Sequence, residues 1–305
     1  MSVSPTSKTL NIGETVQLTG TKNPTSASEG TQWTSSNTGV ATVSGSGLVT
    51  AKAAGTATIT FKNSSSTKSA TCKIVVNDPT ISIVESYVSY YADINDDGIV
   101  DGIIYADLLH GHSGTFGSNS SGNYTIPTIS NPKQYYISQK GYSGDFGTKD
   151  VIAPLKQSVG NDRFYILSLN DFDSQLYKFG YANGGTSSAF GKCKENSKLI
   201  CSKYNYDMWK VIKDQVNQGW FVPSKEEWAA VGNELNITTG NNYSQSKENS
   251  YTNRNLLSKY WSSTEAGVYS DEDYNAWIIY FNNGGLSSNG YGHNQKSYVR
   301  LSITF

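Results

Sequence analysis

TQWTSSNTGVATVSGSGLVTAKAAGTATITF, Thr31 to Phe61, sets short apolar and polar residues in alternation and breaks them with glycines and Ser-Asn pairs. Every second side chain of a strand points to the same face, so Val40 to Val43 and Ala57 to Phe61 read as half-buried strands, with Val40 and Val43 inward. Gly47 and Gly55 stand where the intervening turns need positive φ, and Trp33 is the aromatic available to fill a core. Outward from this stretch, Thr15 to Leu18, Thr31 to Trp33, Leu48 to Ala51 and Cys72 to Val76 have the same character. Short strands at this spacing indicate a β-sandwich. Cys72, inside the alternation, reads as a small buried hydrophobe. The run Val76-Asn77-Asp78-Pro79-Thr80 ends in a proline that cannot continue a strand, which marks a linker and divides the chain into residues 1–78 and 79–305.

The second part mixes strands with a few helices. Alternation around Ser82 to Tyr91 and Gly102 to Asp107 suggests two strands joined through Asn95-Asp96-Asp97-Gly98 as a hairpin. Helical periodicity appears over Tyr206 to Gln218, with Met208, Trp209, Ile212 and Val216 on one face, and over Ser224 to Leu235. The latter opens on a capping box, Ser224 with Glu227 three residues on, directly after Pro223. Tyr260 to Ser263, Ala276 to Phe281 and Tyr298 to Phe305 close the chain as strands.

Two resemblances rest on these residues. Thr31 to Phe61 closely resembles the bacterial Ig-like domain of group 2, a module common on surface and phage structural proteins. GWFVPSKEEW (219–228), YWSST (260–264), AWIIYFNNG (276–284) and YVRLS (298–302), in that order, resemble the C-type-lectin-fold domains of the formylglycine-generating-enzyme subgroup. Within that subgroup they look most like the variable proteins of diversity-generating retroelements, and DINDDGIVDGIIYADL, Asp93 to Leu108, resembles the opening hairpin of such domains. The resemblance implies a mainly β chain: an Ig-like sandwich followed by an α+β C-type lectin fold with a variable region over about 261–305. It further implies a scaffold of Trp261, Trp277, Phe281 and Arg300, with interleaved positions rewritten by adenine-directed mutagenesis.

The interleaving also agrees with strand geometry. Along Trp277-Ile278-Ile279-Tyr280-Phe281 the odd positions are expected in the core, which leaves Ile278 and Tyr280 outside as part of a contact surface. Asn, Ser, Tyr, Gly and Asp supply more than half of the residues between Trp261 and Arg300, close to the alphabet of antibody paratopes. The expected ligand site is Ala266, Val268, Tyr269, Asp271, Tyr274, Ile278, Tyr280, Ser287, Asn289, Tyr291 and His293, anchored by Tyr269, Tyr280 and Tyr291.

Other chemistries find less support. Asp93, Asn95 and Asp97 with Gly98 begin like a calcium loop, and Asp101 fills the ninth position, but the twelfth is Ile104 instead of a bidentate carboxylate. Those residues equally fit a hairpin turn, so calcium stays a weak alternative and no other cofactor is expected. The Glu-Pro-Asn, Gln-Pro-Asp and Trp-Asn-Asp signatures of calcium-dependent sugar binding are missing. Formylglycine chemistry needs cysteines near the C-terminal core, whereas Cys72, Cys193 and Cys201 all precede residue 202. Cys193 and Cys201 could pair or stay free. His110 and His112 could hold a metal but have no third ligand nearby in sequence. A formal charge of -1 without a Lys/Arg run argues against nucleic acid.

With 16% charged residues and many Tyr, Gly, Ser, Thr and Asn, the surface is dressed in uncharged polar groups, as in extracellular or virion β-proteins. Met1 is followed by SVSPTSKTL rather than by a basic and then apolar segment, and no apolar run reaches the roughly 18 residues of a membrane span. The expectation is a non-enzymatic recognition protein at a phage tail or cell surface. Its partner would be a protein or other macromolecule on a host or neighbouring cell, with oligomeric state open. The alternatives are a fixed-specificity fibre or tip component and, behind it, an enzyme of the formylglycine-generating fold.

Overall fold

The computed structural model describes the backbone of residues 1–305 apart from 66, 78–79, 118–119, 156–157, 181–184, 238–255, 257–258, 271–272, 282–284 and 293–294. At 267–270, 273–275 and 285–292 it describes the backbone alone. The chain divides into two compact units, Met1–Ile81 with Leu155–Ser158, and Ser82–Pro154 with Val159–Phe305. The expected boundary residues 78–79 lie outside the described residues.

The first unit is built from two main sheets. One has the order Ser7–Asn11, Ser69–Asn77, Gly55–Asn63, Thr31–Ser35, with the first pair parallel; the other has Thr15–Gln17, Leu48–Ala51, Ala41–Val43. Ala57, Ile59 and Phe61 on one strand and Cys72, Ile74 and Val76 on its neighbour are buried at every second position, as the alternation requires. Trp33 is half-buried against Phe61, ring centroids 4.7 Å apart. Gly47 has φ +87° and a β-carbon there would lie 2.7 Å from the Leu18 carbonyl oxygen, so glycine is required twice over.

A six-stranded sheet forms the second unit's frame, in the order Tyr135–Gly144, Gly147–Pro154, Tyr91–Ala92, Gly102–Asp107, Phe164–Ser168, Ser302–Thr304. Every residue of Gly102–Asp107 is buried. The segment expected as a strand from Ser82 is extended only at Tyr91–Ala92, which pairs with Gly102 and Ile103. The reason lies upstream: the Ser82 and Glu85 carbonyls accept hydrogen bonds from the Arg163 guanidinium at 3.1 and 2.9 Å, leaving Ile83 and Val84 at the surface.

Among the described residues there are four α-helices: α1 (Cys193–Lys203), α2 (Asp207–Val211), α3 (Lys213–Asn217) and α4 (Lys225–Glu234). The single helix expected over 206–218 is two, interrupted at Ile212, whose φ of -90° and ψ of 0° leave the helical well while its side chain stays in the core. α4 has the expected capping box: Ser224 Oγ accepts from the Glu227 N–H at 3.3 Å and Glu227 Oε2 from the Ser224 N–H at 2.6 Å. Cys72, Cys193 and Cys201 are free and buried, and burial pushes the Cys201 thiol up to about 11 and Cys193 well above the ordinary range. Thiolate chemistry is thereby suppressed. Among the described residues no helix is long and apolar enough to cross a membrane.

Candidate functional site

Lys259–Ser270, Asp273–Tyr280 and Gly285–Gly292 make a separate three-stranded antiparallel sheet. Its backbone register sets Tyr260, Ile279 and Leu286 in one row and Trp261, Ile278 and Ser287 in the next. Tyr260, Ile279 and Phe281 belong to one hydrophobic cluster, with Trp228 of α4; Trp261, Ala276 and Ile278 belong to a second, with Trp209 and Val299. The base of this sheet is therefore covered on both faces.

That double cover corrects one expectation. Ile278 is 1% exposed. Ile279 and Phe281 do fall in one cluster and Ile278 in the other, but both faces meet a core here, so Ile278 is not wet. Tyr280 is half-buried against the second cluster, and Trp277, expected inside, is only half-buried. Lys225 Nζ lies 4.4 Å from the Trp277 ring centroid, a cation–π contact at the surface end of α4. Trp277→Ala should accordingly cost about 1 kcal/mol in urea unfolding. A loss as large as that of a fully buried tryptophan would restore the inward reading.

Around the sheet's base the backbone is pinned. The Trp261 N–H donates to the Tyr298 carbonyl at 3.1 Å, its indole N–H to the Tyr177 carbonyl at 2.7 Å, and its carbonyl accepts from the Trp228 indole at 3.1 Å. The Ser263 N–H donates to the Pro223 carbonyl at 2.9 Å, Thr264 Oγ1 accepts from the Lys225 N–H at 2.9 Å, and the Glu265 N–H donates to Thr186 Oγ1 at 2.7 Å. Glu227, fully buried, also accepts from the Gly191 N–H at 2.8 Å, and burial pushes its carboxyl up.

Of the other expected ligand-contacting residues, Ala266 is half-buried on Lys259–Ser270, just beyond the pinned segment. Val268 pairs in register with Tyr274, and Tyr291 with Ala276. Tyr269 and Asn289 lie on the first and third strands, where the backbone alone is described, while Asp271 and His293 lie outside the described residues.

Arg300 is fully buried. Its Nε stands 2.9 Å from Asp171 Oδ1, its NH2 donates to the Leu169 carbonyl at 2.8 Å, and its guanidinium carbon lies 5.8 Å from the Tyr260 ring centroid. Burial pushes the Asp171 carboxyl up, and the Arg300 charge opposes that rise. Arg300 thus braces the last segment of the chain against the 169–171 loop.

The hairpin Asp93 to Asp101 spends the carboxylates of Asp93, Asp97 and Asp101 on its own backbone, while Asp96 accepts from the Tyr136 hydroxyl. Asp93 Oδ1 and Oδ2 accept the Asp97 and Gly98 N–H groups at 3.1 and 2.9 Å, Asp97 Oδ1 accepts the Ile99 N–H at 2.8 Å, and Asp101 Oδ2 the Ile94 N–H at 2.7 Å. Asn95 donates to Asp97 Oδ2 at 3.0 Å. These are the bonds of a turn, and among the described residues no group of three or more His, Cys, Asp and Glu is placed to hold a metal. His110 reaches the Glu85 carbonyl at 2.9 Å while His112 meets Glu234, so the two imidazoles serve different neighbours.

Sheet order, alternating core and glycine turns of the first unit find their counterpart in sequence: residues 1–74 match the model of the bacterial Ig-like domain (group 2). The N-terminal unit is a bacterial Ig-like domain. The match to this family stops short of the second unit, and no curated protein matches the chain. Domains 5-6 of the S-layer protein SbsC are 17% identical, covering 54% of this chain and 88% of that one, with a TM-score of 0.20. Invasin, a bacterial integrin-binding protein, is 10% identical over 99% of this chain and 78% of its own, with a TM-score of 0.19. Neither score reaches the level at which a shared fold can be inferred.

Proposed function

We propose that the chain is a non-enzymatic recognition protein of a cell or virion surface, in which the Ig-like domain is spacer or attachment and the second unit, of C-type lectin fold, presents a diversified ligand-binding surface. The observation that carries this reading is the three-stranded sheet held at its base between two cores. A surface that is to change its residues and keep its backbone needs such a base, because binding residues on a rigid scaffold can vary at little cost in stability. Beyond Glu265 the sheet carries the Tyr, Ser, Asn and Gly of the 266–293 segment, an alphabet that gives contact area at low entropic cost. With Ile278 withdrawn to the core, the proposed contact residues are Ala266, Val268, Tyr269, Asp271, Tyr274, Tyr280, Ser287, Asn289, Tyr291 and His293, with Tyr269 and Tyr291 as anchors. The partner is a protein or other macromolecule on a host or neighbouring cell.

The test is to sequence the coding locus in several isolates. The expected result is a neighbouring reverse transcriptase with an adenine-rich near-copy of the segment for Trp261 to Phe305. Differences should fall under the proposed contact positions and spare Tyr260, Trp261, Ile278, Ile279 and Phe281. An invariant segment without a near-copy would overturn diversification and favour a fixed-specificity fibre or tip component. In the same spirit, replacing Tyr269 and Tyr291 together by Ala should shift unfolding by no more than about 1 kcal/mol, as surface substitutions do.

A further inference from the structure

Trp277 sits on the middle strand of the three-stranded sheet, Asp273–Tyr280, between Ala276 and Ile278, each 1% exposed. It has no partner in the register of either ladder. Ala276 pairs with Glu265 and Ile278 with Trp261 on one side, and with Tyr291 and Ser287 on the other, so residues 262–264 and 288–290 both lie opposite this single position. Irregularities of this kind re-aim a side chain and recur beside active sites. Trp277 is half-buried, and Lys225 Nζ, from the first turn of α4, stands 4.4 Å from its ring centroid.

The start of α4 is closed to ligands along its backbone. The Lys225 N–H donates to Thr264 Oγ1 at 2.9 Å, the Glu226 N–H to the Ser188 carbonyl at 3.2 Å and the Glu227 N–H to Ser224 Oγ at 3.3 Å. The side-chain donors are open. Among the described residues no carboxylate pairs with Lys225 Nζ, and no acceptor is bonded to the Trp277 indole N–H. Glu226, whose charge acts on Lys225, turns Oε2 to the Phe190 N–H at 3.1 Å. Lys225 is half-buried, and burial holds its pKa below the usual lysine range against the influence of Glu226. An ammonium drawn partly out of water without a counter-ion is costly, and a partner that brings the counter-charge recovers that cost.

The two donors narrow the partner's chemistry. One ammonium balances one negative charge, whereas a phosphate draws a bidentate arginine or a group of cations. A carboxylate carries one charge and two acceptor oxygens, and the indole ring offers apolar surface to the short stem that bears it. Beyond Glu265 the sheet carries the Tyr, Ser, Asn and Gly of protein-binding paratopes, which favours a polypeptide over an acidic glycan.

We propose that Lys225 and Trp277 anchor an aspartate or glutamate side chain of a protein partner, its carboxylate accepting from Lys225 Nζ and from the Trp277 indole N–H. This rests on the reading of the sheet as a ligand-binding surface. The test is selection on the immobilised full chain with a random dodecapeptide library as the probe, followed by affinity measurements on the recovered peptides. The expected peptides share an Asp or Glu whose replacement by Asn or Gln weakens binding about tenfold, the scale of one charge-assisted hydrogen bond. Against Lys225→Met, which keeps the stem over the ring and removes the charge, the same replacement should cost nothing further. Trp277→Phe, which keeps a ring and removes the N–H, should weaken the acidic peptide more than its amide counterpart. Circular dichroism checks that each variant folds, and if one does not, the other decides. Binders without a common acid, or an acid whose removal costs as much in Lys225→Met as in the native chain, would overturn the anchor and leave the surface reading standing. Peptides also indifferent to replacement of Tyr269 and Tyr291 by Ala, or a library that yields no binder, would overturn both. Preference for methyl glucuronide over capped acidic peptides would place the carboxylate on a glycan and overturn the protein partner.

Discussion

Replacing Arg163 by methionine should lower the stability of the second unit by about 3–5 kcal/mol, the cost of stranding a buried partner charge. Both members are out of water, with side chains 2% and 1% exposed. The guanidinium fork donates from Nε to Asp107 Oδ1 and from NH2 to Oδ2, each at 2.8 Å, and also to the Ser82 and Glu85 carbonyls. Asp107 further accepts the Tyr87 and Leu109 N–H groups at 3.2 and 3.1 Å. One residue therefore fastens the entry segment 82–90 to the end of the Gly102–Asp107 strand. Methionine would keep most of the volume and the contact with the Tyr87 and Phe164 rings, over which the guanidinium carbon sits at 5.2 and 4.8 Å, but none of the donors. Thermal unfolding of a unit of this size should fall by roughly 10 °C. Arg163→Lys, which retains charge without the fork, should lose less. A loss under about 1 kcal/mol in the methionine variant would mean that water reaches Asp107 once the arginine is gone.

No sequence pattern announces that pair, since Asp107 and Arg163 are 56 positions apart and each looks like a surface charge. What is legible in the chain is local. Period-two burial on Gly55–Asn63 and Ser69–Asn77, the glycines at positive φ and the Ser224–Glu227 cap are all decided within a few residues of themselves. α1 escapes because its buried stripe, Cys193, Asn196, Ser197, Ile200 and Cys201, is half polar and shows no hydrophobic period. Asn196 bonds both the N–H and the carbonyl of Ser187, and Ser197 Oγ accepts the Val222 N–H at 3.0 Å, so these polar residues do core work through hydrogen bonds.

The site divides in the same way. The first two strands and the aromatic base of the three-stranded sheet can be read from the YWSST and AWIIYF runs, whereas the third, Gly285–Gly292, has no apolar alternation to announce it. Which faces are wet cannot be read either, because alternation reports parity and not the number of cores a strand touches. Ile278 illustrates it: parity separates it from Ile279, and a second cluster buries it all the same.

Trp228→Ala tests whether α4 is the foundation of that sheet, and the expected loss is about 3–5 kcal/mol, as for other buried aromatic truncations. Trp228 is fully buried. Its ring stacks on Tyr260 with centroids 5.1 Å apart at 24°, meets Phe281 edge-on at 5.8 Å, and its indole N–H donates to the Trp261 carbonyl at 3.1 Å. The side chain thus touches two of the sheet's three strands or their ends, and alanine would leave a cavity under both together with a buried carbonyl short of its donor. Trp228→Phe separates the two effects, since it restores much of the volume and none of the hydrogen bond, and should recover more than half of the loss. Hydrogen exchange carries the structural consequence: in the alanine variant protection should fall across Lys259–Ser270 while remaining higher in Gly102–Asp107, whose pairing with Tyr91–Ala92 and Phe164–Ser168 does not pass through Trp228. Uniform loss across both strands would mean that the sheet has no base of its own and unfolds only with the whole unit, in which case the residues beyond Glu265 could not be varied independently of the core.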